Sequence, residues 1–406
     1  GVSGVKVIDD YTVQIELVKP YAVFLARLGL IFGKIYPHEA IEKYGDEIRT
    51  HPIGTGPFFL KIIREEQVTF LARNPSYWKK DAYGNQLPYL DALRISYIKE
   101  KKNELMEFSK GNSDMVYKFP LEMIDEIVDY KHQLKPAYKQ FQLQFMPSLS
   151  VQYYGFQHQG TIFNNLYLRK AFCYAIDRQK LCDFTLKGSG FPAIYGIVPP
   201  GTGTYTSQNI NGFTYDAAKA REYMSKAGYP NGKGCPKITL QLNSGGTRNT
   251  QVAEALKKMI EETLGIKIDL LTVPWAQHTE AVESAKTDFY RLGWSADYPD
   301  AENFLNLFHS KYVPAELSTK TYINSFRYKS KTFDEYFNKA VETTDEAKRN
   351  ELYNKADQQI IDDAVVLPIY YDIDYRLLQP NVRNCPQNAI EQRDFSEVYF
   401  VPMKGK

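Results

Sequence analysis

Residues 5–17, VKVIDDYTVQIEL, alternate apolar and polar side chains around an Asp-Asp pair, the pattern of a hairpin of two short strands. Residues 21–36, YAVFLARLGLIFGKIY, are apolar enough for a buried helix, but Arg27 and Lys34 interrupt a run already too short to span a bilayer. In HPIGTGPFFL, at 51–60, glycines flank Thr55 and Pro57 follows, which forces a tight turn before a strand. No Gly-Lys-Ser/Thr follows and no helix opens there, so a phosphate loop is not expected. Strands are expected over 58–63 and 67–72, the second closed by NPSYW, and the spacing turns helical at 104–108 and 121–128. Residues 141–156, FQLQFMPSLSVQYYGF, alternate like a long strand broken at Pro147, and are a crossover candidate between domains.

Further on, 168–181 (LRKAFCYAIDRQKL) predicts one amphipathic helix, with Cys173 as a packed free thiol. Asp216 is placed to cap a second helix that stops at Gly228. Val252, Leu256, Met259, Ile260 and Leu264 form one stripe, Gly265 ends it, and IKIDLLTV follows as a strand, giving a strand-helix-strand unit. A helix over 343–361 and an apolar strand over 364–371 complete the pattern, before a polar tail with a last strand near 398–401. No internal repeat or low-complexity segment appears.

Residues 291–305, RLGWSADYPDAENFL, depart from these plain patterns. As a strand they place Phe289, Arg291, Gly293 and Ser295 on one face, with Asp297 near it where the strand ends. At about 3.3 Å per residue the Arg291 and Asp297 backbones stand roughly 20 Å apart, less if the strand bends. Strict alternation points Trp294 away from Arg291, so it is either core or displaced by a twist. Asp300 is placed to cap a helix over 301–308. Asp297 has no such structural duty, and is either solvated or aimed at a cationic ligand.

Composition narrows the function. A chain of 406 residues exceeds one core and predicts two packed units. Its 50 basic and 48 acidic residues nearly cancel without a basic block, so nucleic acid is not an expected partner. The four cysteines include no C-x-x-C pair and no histidine stands at zinc-ligand spacing, so no metal site is expected. Gly-x-Ser-x-Gly and His-Glu-x-x-His are absent, and the spacing of Asp297 and Asp300 does not establish a catalytic pair. No catalytic residue and no cofactor are expected. The chain opens on Gly1 without a signal segment.

An ordered series of motifs adds a resemblance. VIDDYTVQIEL, PIGTGPFFL, RNPSYW, LRKAFCYAIDR, YDAAKAREYMSKAGYPNG, RLGWSADYPDAENFL, YKSKTFDEYFNKAVETTDEAKRNELYNKADQQI and the strand at Pro368 to Tyr371 resemble, in order, those of the extracytoplasmic solute-binding proteins of ABC importers that carry oligopeptides, family 5. The resemblance implies an α/β, two-lobed periplasmic-binding-protein-like (type II) fold with mixed sheets and crossover hinge strands. It implies a remnant of a small extra domain at 1–35, a first lobe at 36–147 to which 376–406 return, and a second lobe at 148–375. It implies a short peptide ligand captured in an interlobe cleft, a membrane permease of an ABC importer as partner, and a monomer that catalyses nothing. The expected setting is extracytoplasmic, in the periplasm or as a lipoprotein anchored at the outer face of the cytoplasmic membrane. Carried over by motif, Asp297 holds the ligand's α-ammonium, Arg291 meets its carboxylate, and Trp294 stands beside a side-chain pocket, with Gly293 and Ser295 on the same strand. Family members begin with a longer N-terminal portion, so a truncation inside the small domain is expected. The alternatives are a metal chelate or an oligosaccharide on the same fold, or a hydrolase; an acid placed for an ammonium argues against sugars.

Overall fold

The hairpin expected from the alternation is present: β1 (Val5–Asp9) pairs antiparallel with β2 (Thr12–Ile15), and Asp9 Oδ1 accepts from the Tyr11 amide in the turn. The computed structural model describes residues 4–129 and 131–403. The chain divides into two compact units, Gly1–Leu30 with Leu149–Asp372, and Ile31–Ser148 with Ile373–Lys406.

The second of these carries an antiparallel meander of β3 (Phe58–Arg64), β4 (Val68–Arg73) and β5 (Ala92–Ser96). Asn74 closes the turn before β3: its side chain donates to Gly56 O at 2.8 Å and its amide to Pro57 O at 2.9 Å. The Gly-Thr-Gly stretch thus leads into a turn held by Asn74. The helix Lys101–Ser109 and β6 (Met115–Tyr117) follow, and bury Leu105, Phe108 and Val116 with Ile124, Ile127 and Leu377.

A mixed sheet of seven strands has most of its strands in the larger unit. Its strands are β7 (Gln142–Phe156), β8 (Gly190–Pro192), β9 (Ile238–Asn243), β10 (Ile268–Val273), β11 (Phe289–Ser295) and β12 (Val366–Leu378), in the order β10-β9-β11-β7-β12-β6 with β8 on β12. β9 and β10 are parallel and joined by the helix Thr247–Leu264, the expected strand-helix-strand unit, with Gly265 at φ 71° ending the helix. β11 pairs parallel with β9 and antiparallel with β7. Phe156, Phe163, Phe172 and Phe289 meet in the core beneath it. β7 and β12 each continue from one unit into the other. A two-stranded pair, β13 (Val382–Arg383) with β14 (Tyr399–Phe400), ends the chain. All four cysteines are free.

Three expectations are corrected. The strand over 142–156 is continuous through Pro147, which lies outside the ladder to β11 that begins at Ser150. The helix expected over 168–181 stops at Tyr174: the buried Arg178 guanidinium donates to Cys173 O, Ile176 O and Pro368 O, and Asp177 caps a fresh turn. Residues 21–36 hold only the helix Phe24–Leu28 and a 3-10 turn at Ile31–Gly33, with Leu25, Leu28, Ile31, Phe32 and Ile35 exposed and Val23 buried. Gly29 and Gly33 interrupt a segment whose apolar spacing alone suggested one buried helix.

Candidate functional site

β11 lies between β9 and β7, so each of its faces meets side chains from both neighbours. On one face Arg291, Gly293 and Ser295 stand opposite Tyr154, Gln152 and Ser150 of β7. Arg291, half-buried, donates to Asn243 Oδ1 at 3.2 Å and to Gln152 Oε1. Among the described residues no carboxylate pairs with it. Its backbone is fixed by buried His278, whose Nδ1 lies 3.0 Å from Gln241 Nε2 and whose Nε2 lies 2.8 Å from Arg291 O. The Gln241 amide donates to Nδ1, so Nε2–H donates to the carbonyl, and burial lowers the imidazole pKa. Gly293 is required by packing: a Cβ there would come within 2.5 Å of Gln152 Oε1. Ser295 Oγ meets Ser150 Oγ at 3.1 Å. Next to this row, Asp372 of β12 takes bonds from Ser150 Oγ at 2.9 Å and Gln152 Nε2 at 2.7 Å and pairs with Arg248 at 3.2 Å.

The opposite face is aromatic. Trp294 and Leu292 line a small, largely apolar pocket with Tyr153, Trp275, Leu307 and Tyr322. Trp294 is half-buried, 6.0 Å from the Tyr322 ring, and its Nε1 donates to Asn303 Oδ1 at 2.8 Å. It is therefore a pocket wall rather than sealed core. Burial, and then the Asp297 and Glu283 carboxylates, hold the Tyr322 phenol above its ordinary pKa, which places that ring near the acid as well.

The strand ends at Ser295; Ala296 N still donates to Leu149 O at 2.8 Å, and the chain then turns, leaving Asp297 exposed. The expectation that this acid lacks an internal duty is corrected: Asn303 Nδ2 donates to Asp297 Oδ2 at 3.3 Å, and Asn303 Oδ1 accepts from the Asp297 amide at 3.2 Å. Asp300 does cap: its Oδ1 accepts from Glu302 N at 2.9 Å, at the start of the short helix Glu302–Leu305. Arg349 lies 3.6 Å from its other oxygen, and burial raises its pKa. Buried Glu302 takes Arg27 Nη2 at 2.9 Å and the Tyr298 hydroxyl. Asp297 and Asp300 thus have separate partners and do not form a carboxylate pair. Among the described residues no three His, Cys, Asp or Glu side chains gather to hold a metal ion.

Across residues 1–314 the chain matches the profile described as "Bacterial extracellular solute-binding proteins, family 5 Middle". The chain belongs to that family. It is 27% identical to heme-binding protein A of Haemophilus influenzae, covering 100% of this chain and 70% of that protein. It is 28% identical to the periplasmic oligopeptide-binding protein OppA of Escherichia coli, over 93% of this chain and 66% of the other. The chain thus spans about two thirds of the length of the curated relatives it matches. Among solved structures, the ABC transporter-associated periplasmic binding protein DppA of Helicobacter pylori, in complex with the peptide STSA, superposes with a TM-score of 0.82 at 25% identity, over 98% of this chain and 74% of the other. The Escherichia coli murein tripeptide binding protein MppA shares the fold at TM-score 0.81 and 23% identity, over 98% and 75%. The α/β fold of the periplasmic-binding type expected from the motifs is the one found, and the family is one of solute-binding proteins.

Of the residues singled out in the family 5 motif, Arg291, Gly293 and Ser295 lie together on one face, Trp294 on the other, and Asp297 beyond the strand end. Their partners Gln152, Asn243 and Asn303 were not singled out. Gln152 was within reach of the sequence, since alternation in SVQYYGF puts it in step with Ser150 and Tyr154. Asn243 and Asn303 carry no local signal, because only the pairing of β9 with β11 and the turn after β11 bring them in.

Proposed function

We propose that this chain captures short peptides outside the cytoplasm and delivers them to the membrane permease of an ABC importer, as a monomer and without catalysing a reaction. The observation that carries the reading is the state of two opposite charges, one on β11 and one just past its end: Arg291 rests on neutral amide oxygens and Asp297 on a neutral carboxamide. Among the described residues neither meets an opposite charge, so a zwitterionic ligand offers each a counter-charge, the carboxylate to Arg291 and the ammonium to Asp297. Trp294 walls a pocket for a side chain, and Gly293 makes room for the Gln152 amide that holds Arg291. The likeness to oligopeptide-binding OppA and to peptide-bound DppA supports the same reading. In it, 36–147 with 376–406 form one lobe, 148–375 the other, and 1–35 belong to a small extra domain; the protein is periplasmic or held as a lipoprotein outside the membrane.

Calorimetric titration with a mixture of short peptides should release or absorb heat with no peptide consumed. Absence of heat together with turnover of any peptide would overturn the reading. The similarity to heme-binding protein A favours a second one, a non-peptide chelate. Heme added in excess should leave bound peptide in place; displacement of peptide by heme would sustain the second reading instead.

A further inference from the structure

We infer that Asn303 is the residue that positions the peptide-binding acid, locking the Asp297 carboxylate, the backbone behind it and the Trp294 ring into one unit. The inference rests on the assignment of Asp297 to the ligand ammonium. Asn303 is 7% exposed. Its Oδ1 accepts from Trp294 Nε1 at 2.8 Å and from the Asp297 amide at 3.2 Å, while its Nδ2 donates to Asp297 Oδ2 at 3.3 Å. One carboxamide supplies both functions because its oxygen accepts twice and its nitrogen donates, whereas a carboxylate at this position would present only acceptors to Asp297.

The backbone that carries the carboxamide is itself held. Asn303 N donates to Asp300 O at 3.1 Å, and the preceding residue, Glu302, is buried against Arg27 and Tyr298. Rigid turn, rigid amide and acid form a chain of support ending at an exposed charge. Among the described residues Asn303 is the one side chain that hydrogen-bonds the Asp297 carboxylate. Without it the acid is free to rotate, and ligand binding has to order it. The same bond to Trp294 sets the pocket wall at a constant offset from the acid, so the ammonium and the adjoining side chain are recognised in a fixed register.

The test uses trialanine and N-acetyl-trialanine, titrated by calorimetry into the wild-type protein, Asn303→Leu, Asp297→Asn and the double variant. The native protein should prefer the free amine. Asn303→Leu should cut that preference about tenfold while leaving the affinity for the acetylated peptide within about twofold. In the Asp297→Asn background the second substitution should cost nothing more, because the two act as one unit. Asn303→Ser, smaller and polar, should repeat the loss should the leucine variant fail to fold. A merely structural asparagine would weaken both peptides equally, and that result overturns the inference, as does an undiminished free-amine preference in either variant. A wild-type protein with no preference defeats the ammonium assignment itself and the inference with it.

Discussion

Asp297 keeps its charge in the open against the Asn303 amide, whereas Arg169, Arg178 and Arg327 bury theirs among backbone carbonyls. Burial lowers the pKa of Arg169 and of Arg178 to about 10, and both guanidiniums donate to backbone carbonyls, as structural cations do. Arg291 differs in meeting neutral side-chain amides on a half-buried strand face. Gly293 tests its role: a methyl there displaces the Gln152 amide. Gly293→Ala should therefore weaken peptides with a free carboxylate several-fold more than C-amidated ones, read by parallel titrations, and equal weakening would count against Arg291 as the carboxylate partner. At this scale the sequence exposed the charged residues and hid what holds them. RLGWSAD marks its own strand, but nothing near Asn243 or Asn303 announces that the fold will bring them to Arg291 and Asp297.

Elements were legible where period and punctuation agreed, as in the helix Thr247–Leu264 with its αL glycine. They were misjudged where a distant partner decides the outcome: Arg178 ends the helix Leu166–Tyr174 with a side chain that also reaches Pro368 O. The helix Glu346–Asp362 shows such a partner at work. Its buried Asp357 accepts from Ile197 N at 2.8 Å and the Tyr205 hydroxyl at 2.8 Å, and pins the 196–205 loop; Gly196 allows the approach, since a Cβ there would lie 2.0 Å from the carboxylate. Burial pushes this carboxyl up to about 6. A folded pKa above the unfolded one means that the group's contribution is fully present below about pH 4 and is lost as pH rises through about 6, on the order of 2–3 kcal/mol. Melting curves from pH 4 to 7 should show that decline in the native protein and a flatter profile in Asp357→Asn; parallel profiles would refute it. Asp300→Ala should lower stability by about 1 kcal/mol through the lost bond to Glu302 N while changing affinity little. A large affinity loss in that variant would bring Asp300 into the binding machinery.

For the whole molecule, near-neutral charge and two packed units followed from length and composition, and the structure has no helix among the described residues long and apolar enough to cross a membrane. The hairpin β1–β2 is exposed along its length, while every residue of β12 is buried. Amide exchange should accordingly be slowest in β12 and its neighbours and fastest in the hairpin; a hairpin as protected as β12 would contradict this distribution of stability. The central claim is that a peptide is held by its two charged ends. Calorimetry with one short peptide in four forms, free, N-acetylated, C-amidated and doubly blocked, tests it most directly. Blocking either end should weaken binding well over tenfold, and Asp297→Asn should no longer distinguish the free from the acetylated form. Equal affinity of the native protein for all four forms would contradict the account.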